Sequence, residues 1–320
     1  MKRLNLFLAA ALVTVMLLSL LAGRHWIAPG EWLAGDLRSL IITELRLPRI
    51  CLGVLVGAGL GMSGAAMQGY LRNPLADPGL FGISACAALG AVTSIFFGLA
   101  RVPMALPSCA LIGAGVGAGV LMLLAGRSGS LILFTLAGVM LSSLAGALTA
   151  LVINLAPTPF ASAEIITWLM GALTDRGWAD VGIALILLIP GMALLMRAAA
   201  SLDMLSLGDV VARSMGVNMA CLQRLLVVGL ALCVGGTVAV AGVIGFVGLM
   251  VPHLMRPLVG HRPSALLAPS ALAGALLVVV ADTAVRVAPV VSEIRLGVMM
   301  SVLGGPFFLM LLMKLRREIA

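Results

Sequence analysis

Long apolar stretches, uninterrupted by Asp, Glu, Lys or Arg, dominate this chain. A helix that crosses the hydrocarbon core of a bilayer needs about 20 such residues. The intervals that reach or approach this length are 4–23, 50–71, 78–100, 102–126, 128–163, 181–196, 225–255, 263–281 and 296–313. The pattern predicts an all-α polytopic membrane protein.

Two of these intervals are too long for one crossing. The interval 225–255 would measure about 46 Å as a single helix, and it is rich in glycine, so we divide it near Ala241–Gly245. Pro157 and Pro159 interrupt 128–163, because proline disfavours helix in the residue before it. The segment EIITWLMGAL that follows is too short to span and is expected at the surface. The result is ten transmembrane helices in a single domain, 1–320.

Composition supports this class. Of the 320 residues, 62% are hydrophobic and 10% are charged, whereas soluble domains carry about 25% charged residues. This excludes a soluble enzyme, a disordered chain and a nucleic-acid-binding protein. The five cysteines are scattered singly, so we interpret them as small buried apolar residues and predict no metal site. The first apolar run is longer than a signal peptide requires and lacks a cleavage motif, which indicates a retained first helix.

The distribution of charge predicts the orientation. With ten spans and both termini in the cytoplasm, the cytoplasmic side holds 12 of the 20 basic residues but only 4 of the 12 acidic ones. These basic residues are Lys2, Arg3, Arg72, Arg127, Arg197, Arg213, Arg224, Arg256, Arg262, Lys314, Arg316 and Arg317. Since cytoplasmic loops carry an excess of Lys and Arg, we predict cytoplasmic termini.

The chain lacks the groups that would let it power transport by itself. Ionisable residues lie at span ends or in connections, which disfavours a proton- or ion-coupled carrier. Uncoupled carriers and polar Ser or Asn sites remain open. Lys2 and Lys314 each follow methionine, so the Gly-Lys-Ser/Thr of a P-loop is absent. With no nucleophile–base pair either, we predict a transport subunit that is not an enzyme, and any ATPase must be a separate protein.

Two arginines mark the predicted outer start of the second span. Arg46 and Arg49 lie three residues apart in ELRLPRI (44–50) and share a helix face. One interpretation is interfacial snorkelling, in which the charged heads reach water. The other is a docking point for carboxylates of an external partner, because the guanidinium fork matches a carboxylate.

Three cytoplasmic connections carry more sequence detail than a loop requires. RNPLADPG (72–79) contains two turn dipeptides. GFVGLMVPHLMRPLVGHR (245–262) gathers proline, histidine and arginine, and its histidine alone would more often be structural than a ligand. In SLDMLSLGDVVARSMGVN (201–218), a short helix is predicted after Gly208 and ends at Gly216, a favoured C-terminal cap. This segment is either a lever for another protein or an ordinary connection.

These segments together resemble the permease subunit of bacterial type II ABC importers for iron-siderophores, haem and cobalamin. The resemblance runs from LRLPR (45–49) through SGAAMQGYLRNPLADPGLFGIS (63–84), LSLGDVVARSMGV (205–217) and GVIGFVGLMVPHLMRPLVGHR (242–262). It continues with Ala281, Asp282 and Arg286 and with GGPFFLMLL (304–312). It thus covers nearly the whole chain in the expected order, and that family also has ten spans with cytoplasmic termini.

The resemblance implies partners and roles. The partners are a second copy of this chain, two ATP-binding subunits that carry ATP and Mg²⁺, and a periplasmic substrate-binding protein; this chain itself binds no cofactor. The implied ATPase-coupling residues are Leu207, Gly208, Ala212, Arg213, Ser214, Gly216 and Val217. The implied docking residues for the binding protein are Arg46, Arg49, Arg286 and Arg295. Those assigned to the pathway and its cytoplasmic gate are Ser63, Gly64, Asn73, Pro74, Asp77, Pro252, His253 and Arg256.

Two positions depart from the family pattern. Arg295 stands where proline is usual in E-x-P-x-G, and Cys86 stands where a glycine is usual after the RNPLADP turn.

The sequence does not name the cargo, because the family that it resembles passes several different chelates through similar transmembrane walls. We therefore expect the permease of an ATP-driven chelate importer in the bacterial inner membrane. The alternative is a stand-alone secondary carrier or facilitator of the same topology.

Two interpretations are open for small residues of the second span such as Gly57 and Gly61. They either widen the passage or pack helices together.

Overall fold

The computed structural model describes residues 2–23, 25–32, 37–125, 130–289 and 293–319, with side chains as far as residue 314. Arg127 and the side chains of Arg316 and Arg317, all assigned above to the cytoplasmic side, lie outside this description. The described part folds into helices: α1 Lys2–Leu21, α2 Leu37–Leu71, α3 Ile83–Phe96, α4 Ala105–Ala125, α5 Leu131–Asn154, α6 Pro159–Leu169, α7 Trp178–Arg197, α8 Ala199–Leu205, α9 Asp209–Ser214, α10 Met219–Ala241, α11 Val247–Val259, α12 Pro263–Val287 and α13 Leu296–Ile319.

Eight of the described helices are long and apolar enough to cross a membrane: α1, α2, α4, α5, α7, α10, α12 and α13. The shorter apolar helices α3 and α11 occupy the places of the third and eighth predicted spans. The division of 225–255 is confirmed, since α10 ends at Ala241, Gly242 has a φ of 73°, and α11 begins at Val247. The segment after Pro157 forms α6, which has 11 residues and of which only Ile165 is buried. It is too short to span, and its place at the surface stays a prediction.

Burial separates inner from outer helices. In their most apolar windows, α2 is 83% buried, α10 is 72% buried and α12 is 61% buried. By contrast, α1 is 17% buried and α5 is 22% buried, although both are strongly apolar. Exposed apolar faces of this kind suit lipid or another membrane subunit.

Glycines bring α2 and α12 into direct backbone contact. A Cβ at Gly57 would overlap the carbonyl of Gly274, and one at Gly61 would overlap the carbonyl of Ser270. Lipid cannot drive helices together hydrophobically, so close approach through small residues stabilises such pairs. The structure therefore supports the packing interpretation of Gly57 and Gly61.

Candidate functional site

The polar segment 201–218 forms two short helices at one end of the bundle. The helix α8 covers its start, and α9 follows after Gly208, whose φ is 108°. The helix α9 ends before Gly216, whose φ is 88°. Both glycines adopt backbone conformations that other residues rarely adopt. The predicted short helix is thus confirmed, including both glycine boundaries.

Polar contacts fix this segment to the bundle. The carboxylate of Asp203 accepts hydrogen bonds from the backbone N–H of Ser264, at 2.8 Å, and from its hydroxyl, at 2.6 Å. Asp209 forms an ion pair of 2.8 Å with Arg72, at the end of α2. The side chain of Ala212 is fully buried beneath α9. The start of α12 and the end of α2 therefore hold the segment in place.

The outward face of the segment is apolar. Val210 is 81% exposed, and Leu207, Val211 and Met215 are also exposed. Arg213 and Ser214 lie between them and are exposed, while Val217 is half-buried. An exposed apolar patch of this kind is typical of surfaces that contact another protein or the membrane.

A second group of predicted residues lies where α2 crosses α11. Gly64 and Gly248 meet so closely that a Cβ at Gly64 would overlap the Gly248 carbonyl. One turn further on, the Gln68 amide donates to the carbonyls of Gly248, at 3.4 Å, and Leu249, at 3.2 Å. Its own oxygen accepts from Arg256 at 2.8 Å. The crossing is therefore tight and specifically hydrogen-bonded.

The remaining gate residues surround this crossing. Ser63 and Pro252 are buried, and the His253 ring meets the Phe307 ring edge-on with 5.9 Å between centroids. Within the 72–79 turn, Asn73 accepts from the backbone N–H of Leu75 at 2.9 Å, next to half-buried Pro74.

Asp77 closes the same turn. It accepts from the backbone N–H of Gly79 at 2.6 Å. Burial raises the pKa of the Asp77 carboxyl, an effect that this hydrogen bond opposes. Because the bond fixes the turn, Asp77 has a structural role in this conformation.

An apolar cleft lies beside the break between α10 and α11. Its volume is about 510 Å³, and Met170, Val243, Gly245, Gly297 and Val302 contribute to its walls. A cavity of about 250 Å³ shares Val243 and Gly245 with this cleft and extends to Asp77 and to Gly248 at the α2–α11 crossing. The break between α10 and α11 therefore borders two apolar spaces, one of which reaches the predicted gate.

At the opposite end of the bundle, Arg49 forms a charge network inside the chain. Its Nε lies 2.9 Å and 3.0 Å from the two carboxylate oxygens of Asp282, and its Nη2 lies 2.9 Å from one of them. Its Nη1 lies 3.0 Å from Glu293, which also accepts from Thr174 at 3.1 Å. Arg49 is 8% exposed and Asp282 is 3% exposed. The network joins α2, α12 and the approach to α13.

The neighbouring arginines are also engaged within the chain. Arg46, at the end of a wide π-helical turn of α2, donates to the carbonyls of Leu20, Leu21 and His25 at 2.6–3.0 Å. Arg286 donates to the carbonyl and hydroxyl oxygens of Ser19 at 2.7 Å and 2.6 Å. Both side chains are buried, so they attach the end of α1 to α2 and α12.

The four arginines predicted to dock a partner differ in how deeply they are buried. Arg46, Arg49 and Arg286 are buried and bonded within the chain, which fits neither a snorkelling side chain nor an exposed docking point in this conformation. Arg295 is half-buried and lines a groove of about 350 Å³ together with Glu164, Asp175 and Arg176. Docking by these residues stays a prediction.

Several residues of these sites did not emerge from the sequence analysis. Gln68 is the clearest, and a lone amide within the charge-free interval 50–71 was its signal, because such side chains often join helices in membranes. Val210 and Met215 look like any other apolar residues in the sequence. Asp203 and Glu293 lie far along the chain from their partners, so no local pattern could reveal them.

Comparison with known proteins decides the family. Residues 11–314 match the model of the FecCD transport family. The chain belongs to this family. It is also 39% identical over 315 residues to the vitamin B12 import system permease proteins BtuC of Salmonella typhimurium and Salmonella typhi. The match covers 98% of this chain and 95% of each relative.

Solved structures agree with this assignment. A structure described as an inward-facing conformation of a metal-chelate type ABC transporter matches with a TM-score of 0.90 and 30% identity, covering 98% of this chain and all of that one. PsaBC from Streptococcus pneumoniae, in complex with Fab, matches with a TM-score of 0.57 at 19% identity over 82% and 89% of the two chains, which shows the fold alone. This family member is therefore a multi-pass inner-membrane protein and the transport component of an ABC importer, not its ATPase.

Proposed function

We propose that this chain is the permease of an ATP-driven importer that moves a cobalamin-like metal chelate from periplasm to cytoplasm. One observation carries the proposal: almost the whole chain matches known permeases. Its sequence matches vitamin B12 permeases, and its fold matches a metal-chelate type ABC transporter. Two copies would enclose the passage, two ATPases with bound ATP and Mg²⁺ would lie below, and a binding protein would deliver the chelate.

The proposed orientation places the 201–218 segment in the cytoplasm. The bundle end that carries this segment also holds Arg72, Arg256 and the end of α13, so it collects basic residues as the positive-inside rule expects. Ten spans with both termini on this side follow if the short helices α3 and α11 each complete a crossing. The apolar clefts beside the α10–α11 break would then lie within the bundle, along the proposed route.

We propose that the ATPase covers the apolar face of α9. The anchoring of this segment to α2 and α12 by Arg72–Asp209 and Asp203–Ser264 supports the idea, since motion of α9 would be transmitted to the most buried spans. Gly208 and Gly216 bound the moving helix, and buried Ala212 keeps it in contact with the bundle.

A charge inserted into this face tests the proposal. Val210→Asp places a carboxylate where the ATPase would bury an 81% exposed apolar side chain, so co-purification of a co-expressed partner ATPase should fall at least tenfold. Val102→Asp is the matched control, because Val102 is exposed on a connection near the opposite end. Equal ATPase recovery with both variants would contradict the role of α9.

The cargo and the driving force are tested in proteoliposomes. The reconstituted permease with its ATPase and binding protein should accumulate cobalamin only with ATP, whereas an iron-siderophore added in its place should not accumulate. Uphill uptake by the permease alone, lost on adding an ionophore, would instead support a stand-alone carrier. Accumulation of the siderophore but not of cobalamin would retain the permease and overturn the cargo.

A further inference from the structure

A polar pocket lies where α2, α11 and α12 meet, at the end that carries the 201–218 segment. Its volume is about 190 Å³, far more than one water molecule needs. The polar side chains that line it are Gln68, Arg72, Ser206, Arg256 and His261. The pocket includes Arg256 from the predicted gate, but it shares no lining residue with the apolar clefts beside the α10–α11 break.

The charged side chains among the residues that line the pocket are those of Arg72 and Arg256. Arg256 donates to the oxygen of Gln68, a neutral acceptor, so this contact leaves its charge uncompensated. Arg72 shares its charge with Asp209 at 2.8 Å. Asp203, three residues before Ser206, keeps its negative charge, since its two hydrogen bonds come from the neutral donors of Ser264. It is not among the residues that line the pocket, whereas Arg256 lines it without an ion-pair partner in the described part of the chain, and His261 adds a further donor.

Geometry also prepares Arg256 to bind an anion. The amide of Gln68 is fixed by the carbonyls of Gly248 and Leu249, so its oxygen holds one Nη of Arg256 in a defined position. A guanidinium with one edge held and its charge unpaired is a strong donor to a phosphate oxygen. Apolar Ala65 and Leu266 complete the walls.

We propose that this pocket binds the phosphate group of an anionic phospholipid headgroup. Basic pockets between spanning helices on the cytoplasmic side suit such headgroups, because that leaflet is anionic and each nearby Arg or Lys adds about 1 kcal/mol of attraction. Inorganic phosphate offers the same oxygens without acyl chains. The inference rests on the proposed orientation for the leaflet, but it needs neither the ATPase nor transport.

The test is lipid retention by the full-length chain, measured by native mass spectrometry from detergent. Phosphatidylglycerol should be retained at least fivefold more than phosphatidylcholine. His261→Glu, on an exposed residue at the rim, should lower this retention by roughly fivefold. Arg256→Gln should lower it by about tenfold. Arg262→Gln is the matched control for His261→Glu, since each change lowers the net charge at pH 7 by one unit and Arg262 is an exposed neighbour outside the pocket lining.

Three results would overturn the proposal. The first is equal retention of the two lipids. The second is equal loss of phosphatidylglycerol with His261→Glu and Arg262→Gln, which would indicate only general surface charge. The third is thermal protection by inorganic phosphate that is sensitive to His261→Glu, with no preference for phosphatidylglycerol, which would assign the pocket to a soluble anion. Gel filtration of each variant shows that it is folded, so a loss of binding reports on the pocket.

Discussion

Replacing Arg49 distinguishes an internal structural role from a docking role. Arg49→Met keeps most of the side-chain volume but removes three contacts of 2.9–3.0 Å with Asp282 and one with Glu293. Asp282 is 3% exposed, so its carboxylate would be left buried without its partner. Breaking a buried ion pair in this way costs about 3–5 kcal/mol of unfolding free energy. We expect a loss of this size in Arg49→Met.

The double variant tests the cause of that loss. Arg49→Met with Asp282→Asn removes the buried unpaired charge at Asp282, while Glu293, which also loses Arg49, is more exposed. The remaining loss should be about 1–2 kcal/mol, the value of the missing hydrogen bonds. The double variant should therefore be more stable than Arg49→Met by about 2–3 kcal/mol. The assay is equilibrium unfolding in mixed micelles with increasing sodium dodecyl sulfate, followed by circular dichroism. Arg101→Met, on an exposed turn, is the control and should change stability little.

The same variants measure docking. If Arg49 acts through the internal network, Arg49→Met loses stability, and its affinity for the binding protein recovers in the double variant as the fold recovers. An unchanged unfolding free energy in Arg49→Met, together with lost affinity for the binding protein, would refute the structural reasoning and return Arg49 to the docking surface.

Two further predictions concern the gate region. Gly64→Ala should destabilise the fold by about 1–3 kcal/mol, because its Cβ would overlap the carbonyl of Gly248, whereas Gly115→Ala, with open space around it, should be neutral or slightly stabilising in the same unfolding assay. Burial raises the pKa of Asp77, so the folded state binds its proton more tightly than the unfolded state does. Stability should therefore fall as pH rises from 3.8 through the raised pKa. Asp77→Asn, which keeps the acceptor for Gly79, should flatten this slope in thermal melts from pH 3.5 to 7, and an unchanged slope would contradict the assignment.

The sequence alone determined the helical membrane class, the break after Ala241 and the short helix α9 with its flanking glycines. These features are local, because burial in lipid requires continuous apolar runs and each glycine conformation depends on adjacent backbone. The family also followed from linear segments, since RNPLADPG and the 242–262 block can be read without knowing what they contact.

Only the tertiary structure decided what the charged and small residues do. Arg49 and Asp282 are 233 positions apart, and their pairing depends on how α2 packs against α12. The same packing brings Gly57 against Gly274, whereas the crossing of α2 and α11 fixes Gln68 beside Arg256. A sequence shows that an arginine is close to a span end, but whether its charge faces water, a partner or a buried carboxylate depends on helices that lie far away along the chain.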